Sequence, residues 1–205
     1  MSLSLPRPIS AIRLDGGRLC LDFVNTIHDR FALVAEDYLA TPERYVEWAR
    51  RAGAAEAGET VALPASAEAR DRLMADLGEL REAAYRILAA HIDGAPYPAD
   101  ALRTANAWLR KGRNVQELAD GGALRLRADG EDGRLPLKRV VLDLVDVLAD
   151  ANADKFKLKH CANQSSCGWI FADTSKNGRR RWCAMDTCGV QHKMAALRRR
   201  SAEAV

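Results

Sequence analysis

Apolar residues recur at helical spacing through most of the chain. Leu73, Leu77, Leu80, Ala84, Ile87 and Leu88 keep one stripe apolar, which predicts a long helix from Ser66 to about His91. Leu137, Val140, Val141, Leu144, Val145 and Leu148 do the same for a helix over Leu135 to Asn152. Thr41 at a cap and Pro42 at a first helical position open another, with Tyr45, Trp48 and Ala49 facing inward and a stop near Gly53. Pro98 to about Lys111 carries Leu102, Ala105 and Leu109 on one face, with Trp108 beside them. Nearer the start, Leu19, Cys20, Phe23, Val24 and Ile27 predict a helix after the turn signal Asp15-Gly16-Gly17. Residues 1 to 10 are punctuated by prolines and are expected to be extended. Short strands are expected at Ala11–Leu14, Val115–Leu118 and Leu124–Arg127. Residues 1–153 therefore read as a mainly helical body.

The period changes after Asn152. Lys155 to Lys159 alternates basic and apolar residues, and Gly168-Trp-Ile-Phe-Ala is a short β-prone run, so a hairpin is expected. Asp173 to Gly178 is a turn cluster, and a helix begins near Cys188 with Lys193, Met194, Leu197 and Arg200 at helical spacing. Hairpin, knuckle and helix over residues 154–205 describe a small treble-clef-like finger. The fold class is mainly α with a few short strands (α+β): a helical N-terminal body followed by that finger.

Four of the five cysteines lie in this segment. Cys161 and Cys167 are separated by five residues, Cys183 and Cys188 by four, with fifteen residues between the pairs. Two close pairs joined by a hairpin-length spacer suit a tetrahedral, structural zinc ion, because each tight turn presents two thiolates. His160 and His192 are near enough to replace a neighbouring cysteine. Plain reduced thiols, or one oxidised pair, are the competing readings.

Charge sharpens the contrast between the two segments. Residues 154–205 hold eleven Lys or Arg against four Asp or Glu, a balance of +7, whereas residues 1–153 carry −4. A cationic finger on an acidic body suits phosphate contacts with counterion release, with a solvated surface as the plainer alternative. In the nucleic-acid reading, Lys176, Arg179, Arg180 and Arg181 contact phosphates from the loop, and Lys193, Arg198, Arg199 and Arg200 do so from the helix. Gln191 and His192, at the helix start, are placed to read base edges. The rival reading is a zinc-stabilised protein-interaction module without DNA binding.

Composition and motifs exclude several other classes. With 48% hydrophobic residues the chain can bury a core, and it has no apolar run near the roughly 18 residues of a membrane span. It has no secretory leader in Met1–Pro8, so a cytoplasmic location is expected, where thiols stay reduced. The glycine turn before Arg18 lacks the Gly-x-x-x-x-Gly-Lys pattern of a phosphate loop, and neither a serine elbow nor a His-Glu-x-x-His helix is present. No catalysis is expected. Cys20, on an apolar helix face, reads as a buried inert thiol. Asp22 and Asn25, three residues apart, either hydrogen-bond backbone groups or join Arg18 in a small-molecule effector pocket.

The stretch from Cys161 to Lys193, with Cys167-Gly168-Trp169-Ile170-Phe171, Asp173-Thr-Ser-Lys-Asn-Gly178 and Arg180-Arg-Trp-Cys-Ala-Met185 at its centre, resembles the CGNR-type zinc finger of bacterial transcriptional regulators. The resemblance puts Cys161, Cys167, Cys183 and Cys188 on that family's metal positions and implies one structural Zn2+. The signature Cys-Gly-Asn-Arg reads Cys188-Gly189-Val190-Gln191 here, and the first knuckle is about one residue longer. Gly17-Arg18-Leu19 and Leu21-Asp22-Phe23-Val24-Asn25-Thr26 resemble the ABATE domain that accompanies such fingers. The two resemblances together imply a stress-related transcription regulator. They leave open whether the body senses a small molecule.

Overall fold

A computed structural model describes residues 7–32, 34–122, 124–127, 133–164 and 167–203. Six α-helices are described: α1 (Leu19–Val24), α2 (Pro42–Arg51), α3 (Ala67–Asp93), α4 (Ala99–Arg113), α5 (Leu135–Asn152) and α6 (Val190–Glu203). Three two-stranded antiparallel hairpins accompany them: β1 (Ile27–His28) with β2 (Glu36–Asp37), β3 (Gln116–Leu118) with β4 (Leu124–Leu126), and β5 (Lys157–His160) with β6 (Ile170–Asp173). The mainly helical class read from the sequence is the observed one.

Local chemistry accounts for most boundaries. The Thr41 hydroxyl accepts from the Arg44 N–H, and Ser66 caps α3 by accepting from Ala69, so each cap satisfies a donor the helix cannot. The stripe along α3 packs on α4, and α4 packs on α5, with α1 laid against α5. Trp48, Tyr45, Phe23, Leu21 and Leu73 are fully buried at the centre of this core.

Two expectations near the N-terminus do not hold. Ile9–Ala11 forms a 3-10 turn closed by Ala11 N–H to Pro8 C=O, so the strand expected at Ala11–Leu14 is absent. Residues 1–6 of the expected extended segment lie outside the described residues. The α1 helix also ends at Val24 instead of continuing through Ile27. Beyond it, Ile27 and His28 pair with Asp37 and Glu36. Buried Arg81 on α3 fixes that hairpin, donating to both Asp37 oxygens at 2.8 and 2.6 Å and to Thr26 Oγ1 at 3.0 Å.

The two ends of the chain share one core. Leu158, Trp169, Ile170, Phe171 and the four finger cysteines belong to the same buried apolar cluster as α1, α2, α3 and α5. The outer edge of β6 is closed by the body. Asn25 Nδ2 donates to the Ile170 C=O (2.8 Å), the Ile170 N–H donates to Asn25 Oδ1 (2.9 Å), and the Ala172 N–H donates to the Gly16 C=O (3.0 Å). At Gly168, with φ near +65°, an added Cβ would sit 2.8 Å from the Arg30 Cβ, so a body loop lies directly on the finger's turn. Glycine there meets both demands.

Two variants test this docking. Asn25→Ala strands a buried N–H and a buried C=O on β6, an expected loss of roughly 2–4 kcal/mol in denaturant unfolding. A loss below about 0.5 kcal/mol, the range of an ordinary surface change, would contradict the edge-closing role. The second is Asp22, which accepts from the Gly16 N–H at 2.9 Å. Burial, with help from Asp15 and Asp143, pushes its carboxyl up to about 7, against about 3.9 in an unfolded chain. Between those values the native state keeps a proton that the unfolded chain releases, so this group's contribution to stability falls as pH rises from about 4 to 7. Asp22→Asn keeps the acceptor and removes the titration. The variant is expected to melt higher than wild type at pH 7, by the equivalent of about 1 kcal/mol or more, with the gap closing near pH 4.

Candidate metal centre and basic face

The finger brings its four cysteines to one point. Cys161 directly follows β5, Cys167 precedes β6, Cys183 lies in the loop beyond, and Cys188 sits in a π-helical turn (Met185–Gly189) leading into α6. Two backbone bonds shape the first knuckle: Cys161 N–H to Trp169 C=O at 2.8 Å and Cys167 N–H to Asn163 C=O at 3.0 Å. The longer spacing between Cys161 and Cys167 is thus accommodated by a turn that still converges on the second pair.

All four sulfurs lie within 4.8 Å of one another, and all four residues are buried. The Cys167–Cys183 and Cys183–Cys188 separations are both 3.7 Å. Zn–S bonds of about 2.3 Å in a tetrahedron require sulfurs near 3.8 Å apart. The donor set therefore fits one zinc ion, with no coordination position left for substrate. A divalent cation stabilises all four thiolates at once. N–H donors orient two of the ligands: Cys183 N–H toward Cys161 Sγ at 3.5 Å and Asn163 Nδ2 toward Cys188 Sγ at 3.8 Å.

Neither histidine belongs to this set. His160 Nε2 faces Asp93 Oδ1 at 3.8 Å, and the His192 ring packs on Trp182 at 5.6 Å. The cysteine quartet closes the site without them.

A comparison with family models matches residues 17–151 to ABATE, described as a putative stress-induced transcription regulator, and residues 157–201 to the CGNR zinc finger. The chain belongs to the ABATE family. No curated protein matches it. The two families are of regulator and zinc-finger type, and the CGNR match with the cysteine quartet makes the finger a binding site for one zinc ion. No described helix is long and apolar enough to cross a membrane.

The basic residues divide by environment. Lys176, Arg179 and Arg181 are exposed on the loop between β6 and the second knuckle, and Lys193, Arg198 and Arg200 are exposed on α6. The Arg199 side chain lies outside the described residues. Arg180 differs from its neighbours: its guanidinium donates to the carbonyls of Trp182, Cys183 and Asp15 and lies 4.4 Å from the centre of the Phe171 ring. That side chain ties the finger to the body. Gln191 is exposed at the start of the helix, and its Oε1 accepts from Asn163 Nδ2 in the first knuckle at 3.0 Å.

Arg18, Asp22 and Asn25 each engage a different partner. Arg18 spans Asp143 (2.9 Å) and Asp150 (2.8 Å) on α5, Asp22 holds the Gly16 turn, and Asn25 holds β6. Clamping by Arg18 is reinforced by the Cys20 N–H, which donates to Asp143 Oδ2 at 2.8 Å. Asp22 and Asn25 both hydrogen-bond backbone groups, at Gly16 and Ile170.

Purified chain is expected to contain one zinc, and Cys183→Ser to lose stoichiometric zinc together with the near-ultraviolet dichroism of buried Trp169. Retention of a full zinc equivalent by the variant would contradict the quartet.

Proposed function

We propose that this chain is a zinc-dependent DNA-binding transcriptional regulator acting in the cytoplasm. The observation that carries the reading is the cationic face of the finger. Lys176, Arg179 and Arg181 project from one loop and Lys193, Arg198 and Arg200 from the helix beside it, all exposed. Zinc holds that loop and helix in fixed relation, since Cys183 follows the loop and Cys188 precedes the helix by two residues. Such an array suits the backbone of a duplex, where each neutralised phosphate releases counterion. Gln191 and His192, both exposed at the helix start, are the candidates for reading base edges. The body, docked on the finger, supplies a sensing role.

One feature of α6 supports a second reading. Val190, Met194 and Leu197 form an apolar stripe along one helix face, each about half exposed (46%, 47% and 55%), with Lys193 and Arg198 flanking it. An exposed apolar stripe is an unusual surface for a groove lined by phosphate and suits a protein partner.

Duplex binding measured across a salt series separates the two. In the DNA reading, affinity falls steeply with salt. Replacing Arg179 and Arg181 together by alanine lowers the salt slope by about one for each phosphate no longer neutralised, evenly across sequences. Duplex affinity that is absent, or insensitive to salt, would assign the finger to protein docking.

A further inference from the structure

A cavity of about 280 Å3 lies at the junction of body and finger, reaching from the cysteine quartet out to Arg7, Arg13, His28 and Tyr38 of the body. Its walls differ in chemistry. His28, Tyr38 and Trp169 form an aromatic wall, the His28 ring lying 5.6 Å from Tyr38 and edge-on to Trp169 at 5.9 Å. The finger contributes an amide wall, Asn163 bonded to Gln191. Arg7 and Arg13 supply two guanidinium groups from the body, and Cys167, Cys183 and Cys188 form the floor. The size is near the lower end of ligand cavities, roughly 300–1,000 Å3, which restricts the occupant to a small molecule.

We propose that this cavity binds a small aromatic carboxylate bridging the body and the finger. The electrostatics orient such a ligand. Four thiolates around one Zn2+ leave a net negative floor, so the carboxylate points away from it and the ring lies inward against His28 and Trp169. The Arg7 guanidinium is available at modest cost. Arg13 is bound to Asp15, whose side chain is only 21% exposed, as well as to the exposed Asp186, and serves as a second positive charge at the cavity wall. Arg7, itself 54% exposed, reaches Glu36 at 3.6 Å and His28 Nε2 at 3.1 Å. Burial lowers the His28 pKa, which leaves its ring as a neutral partner for Arg7 and the ligand ring. Asp29, the acidic residue of the lining, faces His28 Nδ1 at 3.2 Å.

The position gives the ligand leverage on the finger. Gln191 occupies the last position of the Cys-Gly-Asn-Arg signature and stands at the start of α6, with Thr187 in the π-helical turn before it, so an occupant touches both the body and the base of the basic helix. Its effect on DNA affinity rests on the reading of the finger as a DNA contact. Ligand binding does not.

Calorimetric titration of the zinc-loaded full chain, without DNA, tests the cavity by itself. The probes are benzoate, phenylacetate and indole-3-carboxylate, with neutral benzamide and the non-aromatic acetate as controls, and zinc content is checked before and after. Saturable binding of at least one aromatic acid at one per chain is expected, with both controls much weaker. Arg7→Gln and Gln191→Ala change exposed side chains and are expected to keep zinc and melting temperature. Arg7→Gln is expected to weaken the acid about tenfold or more, the effect of one charge-assisted contact, and Gln191→Ala to weaken it less. No saturable binding of any of the three acids at millimolar concentration would overturn the proposal. So would binding that both variants leave unchanged, or binding that strips the zinc. Failure here leaves the salt-series result on duplex DNA standing, and failure of DNA binding leaves this titration standing.

Discussion

Strand β6 is bonded on both edges by different parts of the chain. One edge pairs with β5 inside the finger, and the other meets Asn25 and Gly16 from the body. An unpaired strand edge buried against a helical core would leave several N–H and C=O groups without partners, at a cost of roughly 1–3 kcal/mol each. The side-chain amide of Asn25 copies the donor and acceptor of a neighbouring strand residue and removes much of that cost. The rest of the arrangement follows from this closure. With β6 held, Trp169, Ile170 and Phe171 join the body core, the cysteine knuckles at its ends are placed, and the cavity at the junction acquires its walls.

Zinc and docking are therefore complementary constraints. The metal fixes the two knuckles relative to each other, so that the loop carrying Arg179 and Arg181 and the helix carrying Lys193 form one surface. The body fixes the hairpin that bears the first knuckle. Arg180 links the two, joining Asp15 of the body to the carbonyls beside Cys183. A finger anchored in this way differs from a module on a tether.

Periodicity and cap chemistry made the long helices legible, because their burial repeats every few residues and leaves a local trace. Paired cysteines, the Asn177-Gly178 turn and the alternation before Cys161 made the finger legible for the same reason. The β1–β2 hairpin was not, since two-residue strands carry almost no pattern and this one depends on Arg81, 44 residues from Asp37. The roles of Asn25 and Arg180 were hidden by distance too: their partners lie 145 and 165 residues away in the chain. In a run of three arginines, nothing local marks the middle one as a structural tie. Gln191 occupies a signature position, but only the folded chain pairs it with Asn163, 28 residues away.

Amide hydrogen exchange with and without zinc chelation tests the coupling of metal, finger and body most directly. Removing zinc is predicted to release protection at Ile170 and Ala172 in β6 and, in the same step, at the α1 amides and the Asn25 turn that pack on them, while the distant α3–α4 contact remains protected. Loss confined to the finger, with α1 and the Asn25 turn as protected as in the zinc-bound chain, would show two independent modules and contradict the account.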